Sequence, residues 1–172
     1  LMYRAKQRKG VVVTDSDPES SLKIGKPILL IVDDSFMNRE ILKEMLQGDY
    51  EILEAEDGTE CVALLEKYGS EISLVLLDII MPKMNGFDVL SRMARAGWIE
   101  DIPVIMISSE DSDEAVLRAY ELGASDYVSR PFDMRVVHQR VSNIMRLYAK
   151  QRRLSSLLAQ QFIEREKDST ML

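Results

Sequence analysis

The chain has 172 residues, 46 % of them hydrophobic and 30 % charged, a balance that suits one packed domain with extensions. Its formal net charge of -7 argues against nucleic acid as the ligand of the domain, because a phosphate backbone needs a basic surface. A single cysteine, Cys61, rules out an internal disulfide, and no apolar run approaches the ~18 residues of a membrane span. A reducing, cytoplasmic setting and no membrane association are the expectation.

In chain order, residues 1–9 read as the end of a basic helix stopped by Gly10, and Val11–Thr14 as a short β-prone run. Asp15 to Lys26 is polar, with Pro18, three serines and Gly25, and reads as a linker. Residues 1–26 are thus expected to form an N-terminal tail, and the start at Leu1 suggests an excised piece. Ile28–Val32 is an apolar run ending at Asp33-Asp34; Ser35 caps the next helix, which carries Ile41, Leu42, Met45 and Leu46 and which Gly48 closes. Tyr50–Ala55 is the second strand candidate. Helix 58–68 follows, with Cys61, Val62, Leu64 and Leu65 facing inward.

Leu74–Leu77 is a third run, ending at Asp78. A loop with Pro82, Asn85 and Gly86 leads into helix 87–96, and Trp98 lies in the loop beyond, covering an edge. Val104–Ile107 ends at Ser108, helix 112–122 ends at Gly123, and Asp126–Ser129 is a short last strand. After Pro131 a long helix begins near Asp133. Five strands alternating with helices predict an α/β fold with a parallel sheet, helices on both faces and the flavodoxin-like order 2-1-3-4-5. Residues 27–148 make that domain and 149–172 a C-terminal helical extension. Ile144, Leu147, Leu154 and Leu158 sit near the a and d positions of a short coiled coil, with Gln151 and Gln161 at two others.

In such a sheet, ligands bind past the carboxyl ends of the strands where the order reverses, here between the first and third strands. That brings Asp33, Asp34 and Asp78 to one crevice. Three carboxylates so close need a proton or a cation among them, and Mg²⁺, which takes carboxylate oxygens, waters and a phosphate, suits the set. A carboxylate beside such a metal can also attack phosphorus. Helix capping is the plainer role for any one of these aspartates.

Four blocks carry a resemblance over roughly Lys26 to Tyr148. They are Ile28 to Ser35 with its acidic pair; Leu76 to Gly86, with Asp78 followed by Met81-Pro82-Lys83-Met84-Asn85-Gly86; Val104 to Ser109; and Gly123 to Phe132. Together they resemble the receiver domain of two-component response regulators, the chemotaxis-type phosphoacceptor family. The resemblance implies a phosphoacceptor at Asp78 and Mg²⁺ held by Asp34 and Asp78, by Asp33 mainly through water, and by the backbone carbonyl of Ile80. It implies phosphate contacts from Ser108, the Ser109 amide and Arg130, and a switch formed by Ser108 and Tyr127. It further implies a histidine kinase or phosphotransfer protein as donor and an output domain in the same chain. A homodimer is expected through the fourth helix, fifth strand and fifth helix, or through the C-terminal helix. Such a domain is not an enzyme acting on a separate substrate; it phosphorylates and dephosphorylates itself.

Two positions depart from the family. Arg130 stands where lysine is usual; it keeps the charge but is longer, planar and bidentate. Ile80, two residues past Asp78, cannot orient an attacking water, so a long-lived aspartyl-phosphate is expected. It also lacks the second aspartate that phosphatases of the haloacid-dehalogenase type use. A pseudo-receiver that binds partners without phosphorylation is the alternative that Arg130 keeps open. Met2 to Lys6 resembles the last helix of diguanylate cyclase (GGDEF) domains, which implies membership in a larger cyclic-di-GMP-type enzyme. His138, the only histidine, reads as a surface residue, and the ten methionines as core filler.

Overall fold

The structure, a computed structural model, describes residues 25–170; the expected basic helix, the β-prone run and nearly all of the linker lie outside them. Five strands form one parallel sheet: β1 (Ile28–Val32), β2 (Glu51–Ala55), β3 (Ile72–Leu77), β4 (Val104–Ser108) and β5 (Asp126–Ser129), in the order β2-β1-β3-β4-β5. The helices are α1 (Phe36–Leu46), α2 (Gly58–Tyr68), α3 (Gly86–Ala96), α4 (Asp113–Glu121) and α5 (Met134–Thr170). The sheet order and the alternation are those read from the sequence.

Every residue of β3 and β4 is buried, because both faces of these central strands are covered. Alternate side chains feed two cores. Leu30, Val32, Val75, Leu77, Val104 and Met106 pack with Leu65 of α2, Leu90 and Met93 of α3 and Ala119 of α4. Leu29, Ile31, Leu74, Leu76, Ile105 and Ile107 pack with Leu42 and Leu46 of α1 and Val137 and Val141 of α5. Full burial of each such aliphatic side chain contributes about 1.5–3 kcal/mol, so the central strands are held rigidly where their ends form the crevice.

The N-caps are Ser35, Asp57, Asn85 and Ser112, each accepting a bond from a backbone amide in the first turn. None of Asp33, Asp34 or Asp78 is among them, so capping does not explain the three strand-end aspartates. Three local expectations need correction. The turn after α1 is capped by Gln47, whose amide donates to the Lys43 carbonyl, rather than by Gly48. Tyr50 belongs to that turn, its N–H donating to the Leu46 carbonyl at 3.0 Å, so β2 starts one residue later. Strand β3 begins at Ile72, two residues before the apolar run, because Ser73 is buried within it despite its hydroxyl. Trp98 opens a 3₁₀ turn, Trp98–Glu100, half-buried against the first core with the Arg92 guanidinium 5.8 Å from its ring. Cys61 is fully buried, and burial pushes its thiol up to about 12.

Helix α5 has 37 residues and crosses residue 148 without a break. Past the sheet its apolar residues are exposed, among them Leu147, Leu154, Leu157, Leu158, Phe162 and Ile163. No helix among the described residues is long and apolar enough to cross a membrane.

Candidate functional site

The crevice is built by extending the sheet ladder beyond the strands. The Asp78 amide donates to the Val32 carbonyl at 2.9 Å, the Asp33 amide to the Ala55 carbonyl at 3.2 Å, and the Arg130 amide to the Ser108 carbonyl at 2.9 Å. Side chains from the ends of β1, β3, β4 and β5 therefore converge. Carboxylate oxygens of Asp33, Asp34 and Asp78 all lie within 4.8 Å of one another. Asp33 and Asp78 are buried while Asp34 is exposed, so the group opens to solvent on one side.

Asp78 accepts from the Ile79 amide at 2.8 Å. Its carboxyl is held above the ordinary 3.8, first by burial and then by the Asp33 charge, against the opposing pull of Arg130, the Ser108 hydroxyl and the Ile79 amide. A cation beside Asp78 would offset both causes and favour its ionised form. The donor set, three carboxylates and no sulfur or imidazole, is that of a hard oxygen-seeking ion such as Mg²⁺.

The loop after Asp78 is shaped by two close approaches. A Cβ on Gly86 would stand 2.3 Å from the Asp78 carbonyl oxygen, and one on Gly58 2.4 Å from the Met84 carbonyl oxygen. Glycine at each position lets the starts of α2 and α3 close on the loop, which the Gly86 amide ties to the Ile79 carbonyl at 2.9 Å. Lys83, at φ 66, reaches Asp57 at 3.0 Å and fixes the loop to the α2 cap. Within the loop Ile80 projects its side chain outward, 59 % exposed, and among the described residues no backbone amide donates to its carbonyl.

Ser108 is fully buried at the end of β4, its Oγ accepting from the Glu110 amide at 3.2 Å; Ser109 is exposed at the rim. Tyr127 is turned into the first core, its hydroxyl donating to the Glu110 carbonyl. Burial raises that phenol above its ordinary value, with the Glu110 charge adding to the effect. Arg130 bonds Asp33 Oδ2 at 2.5 Å and comes within 3.8 Å of Asp78 Oδ1. Asp33, Asp34, Asp78, Ser108 and Arg130 thus meet at one crevice, while Tyr127 faces the core behind Ser108.

Two neighbours escaped the sequence reading. Asn38 donates its side-chain amide to both Asp33 oxygens, at 3.3 and 3.2 Å. It stands three residues after the Ser35 cap, where a helical side chain leans back toward the strand end, and that spacing was the available signal. Buried Arg39 bonds the Asp33 carbonyl at 2.8 Å and pairs with Glu54 and Glu56. His138 is remote, its Nε2 2.8 Å from Asp49.

Comparison with known proteins agrees with this geometry. The family model described as response regulator receiver domain matches residues 29–142. A chemotaxis protein CheY homolog from Campylobacter jejuni is 33 % identical over 119 residues, covering 68 % of this chain and 91 % of that protein. A probable cyclic di-GMP phosphodiesterase from Vibrio cholerae is 37 % identical over 113 residues, 66 % of this chain and 25 % of that protein. Among solved structures, the CheX–CheY–BeF3–Mg²⁺ complex from Borrelia burgdorferi contains a chain that is 33 % identical with a TM-score of 0.64, covering 68 % of this chain and 87 % of that one.

Proposed function

This chain belongs to the response regulator receiver domain family of two-component systems, and from that premise we propose that Asp78 accepts a phosphoryl group from the phosphohistidine of a histidine kinase or phosphotransfer protein. The observation that carries the reading is the buried Asp78 carboxylate facing Asp33 and Asp34 within 4.8 Å, with Ser108 and Arg130 closing the same crevice. Asp34, Asp78 and the Ile80 carbonyl would hold Mg²⁺, with Asp33 acting through water. The bound ion supplies positive charge to the transferring phosphoryl oxygens.

An Asp78 oxygen forms the bond to phosphorus as the phosphorus–nitrogen bond of the donor breaks, and the leaving imidazole keeps the electron pair. Ser108, the Ser109 amide and Arg130 receive the phosphoryl oxygens. Movement of the Ser108 hydroxyl toward them acts on Tyr127, which packs behind it, and so on the face formed by α4, β5 and α5. The output is a further domain of the same protein, reached through α5; the exposed leucines 147, 154 and 158 support a homodimer contact along that helix. The location is cytoplasmic, where such kinases deliver phosphate.

The test is incubation of the chain with Mg²⁺ and acetyl phosphate, followed by intact mass. A gain of one phosphate that Asp78→Asn abolishes supports the reading; no gain in the parent points to a pseudo-receiver. Two observations favour that second reading: Tyr127 is already turned inward, and Arg130 already bonds Asp33.

A further inference from the structure

The Asp33 backbone is held on both sides. Its amide donates to the Ala55 carbonyl at 3.2 Å, and its carbonyl accepts from the buried Arg39 guanidinium at 2.8 Å. What remains free is the rotation of the carboxylate, and three groups act on it. The Ser35 amide donates to Oδ1 at 2.8 Å, and Arg130 draws Oδ2 to 2.5 Å. The side-chain nitrogen of Asn38 lies between the two oxygens, 3.3 Å from Oδ1 and 3.2 Å from Oδ2. A single nitrogen nearly equidistant from both oxygens opposes a turn of the carboxylate plane in either direction.

Asn38 does not serve the helix it belongs to. It is the third residue of α1, where an acidic side chain or a glutamine ordinarily accepts from the cap amide, and an acidic one also suits the positive end of the helix dipole. In α3 Asp88 does so, accepting from the Asn85 amide at 3.3 Å. Helices α2 and α4 also carry acids in their first turns, Glu60 in one and Asp113 and Glu114 in the other, whereas α1 has none. Here Asp33 takes the Ser35 amide, and the third residue is a donor. Asparagine is also a weaker helix former than glutamate or glutamine. The choice is explained by the crevice: a carboxylate at position 38 would stand against Asp33, while the neutral amide holds Asp33 and brings no positive charge to compete with a cation.

We infer that Asn38 is a positioning residue for the cation site: its amide sets the plane of the Asp33 carboxylate, and with it the direction in which Asp33 receives a metal-bound water. The inference rests on the reading of the crevice given above. Partners of this kind, which orient a ligand without touching the ion, contribute about ten- to a hundredfold in metal affinity. The effect falls on binding of the ion rather than on the reaction of Asp78 once the ion is seated, because Asn38 bonds Asp33 and not Asp78.

The experiment compares the parent, Asn38→Leu and Met37→Gly on the full chain. Leucine keeps the volume of Asn38 and removes the donor. Met37 is its neighbour in the same turn, 64 % exposed, and glycine there loosens the start of α1 without touching Asp33. Mn²⁺ binding is followed by loss of the free-ion paramagnetic resonance signal, with Mg²⁺ as competitor, and phosphorylation by acetyl phosphate is followed by intact mass over a Mg²⁺ series. Far-ultraviolet circular dichroism checks folding, and Asn38→Ala takes the place of Asn38→Leu if that variant is unfolded. Asn38→Leu is expected to bind Mg²⁺ about tenfold more weakly and to need about tenfold more Mg²⁺ for half-maximal phosphorylation. Its rate at saturating Mg²⁺ should stay within about twofold of the parent, and Met37→Gly should keep the parent's affinity. Parent-like affinity in Asn38→Leu overturns the inference. So does an equal loss in Met37→Gly, or a saturating rate that falls as far as the affinity, since either makes the role of Asn38 structural. A parent that binds the cation but gains no phosphate overturns the phosphoacceptor reading alone; a parent that binds no cation overturns both.

Discussion

The Tyr127 hydroxyl donates to the backbone carbonyl of Glu110, two residues past Ser108, so the ring on β5 closes the loop that leaves β4. Glu110 in turn donates its amide to the Ser108 Oγ at 3.2 Å. Phosphoryl contact at Ser108 and ring position at Tyr127 are therefore joined through one backbone residue. Replacing Tyr127 by Phe removes the donor but keeps the ring, and should cost about 1 kcal/mol in urea unfolding. Tyr127→Ala empties a core position and should cost roughly 3–5 kcal/mol. Equal losses would mean that the hydroxyl, rather than the ring, holds the loop.

Asp78 gives a pH signature. Its folded-state carboxyl lies above the ordinary 3.8, so the native state binds the proton more tightly than the unfolded chain. Stability contributed by Asp78 therefore falls as pH rises through 3.8 toward the folded value. The penalty is complete above the folded value and absent below 3.8. Without divalent cations, Asp78→Asn should raise the melting temperature at pH 7, and the gain should vanish near pH 3.5. Melts in Mg²⁺ should reverse the sign at pH 7, since the ion removes the reason for the penalty. A gain independent of pH would show that charge is not its cause.

Gly86 and Gly48 make a matched pair. A Cβ at Gly86 meets the Asp78 carbonyl oxygen at 2.3 Å and the Ile79 Cα at 2.9 Å, whereas one at Gly48 meets nothing within 4 Å. Gly86→Ala should cost about 2–3 kcal/mol and slow phosphorylation, because the clash is with backbone under the acceptor. Gly48→Ala should be neutral or gain about 0.5 kcal/mol from the unfolded chain. Denaturant midpoints and the acetyl phosphate reaction check both.

Ile80, two residues past Asp78, has an exposed, apolar side chain. Ile80→Asn places an amide able to orient water toward the phosphoryl group. Loss of radiolabelled phosphate from the protein should quicken by roughly tenfold, a modest share of what positioning can supply. An unchanged half-life would remove Ile80 from the account of phosphate lifetime.

Leu154 and Leu158 lie on the free part of α5, 60 % and 49 % exposed. If they pair with a second copy, Leu154→Glu with Leu158→Glu should shift the sedimenting species from dimer to monomer. The melting temperature of the sheet domain should stay unchanged, because neither side chain touches its cores. A parent that sediments as a monomer would exclude the contact.

The parts of this molecule that were legible in the sequence are those written locally. Runs such as Ile28–Val32 and Leu74–Leu77 announce strands covered on both faces, and the aspartates that follow them fall at the crevice by topology alone. Ser73 hid the start of β3 because a buried hydroxyl breaks an apolar run without breaking a strand. The ion pair between Arg130 and Asp33 joins residues 97 apart, and nothing in either neighbourhood encodes it. The substitution itself was visible, but its partner emerges only when β1 and β5 are placed across the sheet. Asn38 and Glu110 escaped for a similar reason, since each acts through a contact made past the end of a strand.

The continuity of α5 has a mechanical consequence. At about 1.5 Å per residue, Thr170 stands roughly 43 Å from Val141, the last residue of the helix that is buried in the sheet domain. A rod of that length carries angle as well as distance. Each residue turns the helix by about 100°, so deleting one residue between Lys150 and Thr170 would swing whatever is mounted at its tip by more than a quarter turn while shortening the reach by only about 1.5 Å. If an output follows this helix, phase, set where Val137 and Val141 pack with residues of β1, β3 and β4, is what the helix delivers to it.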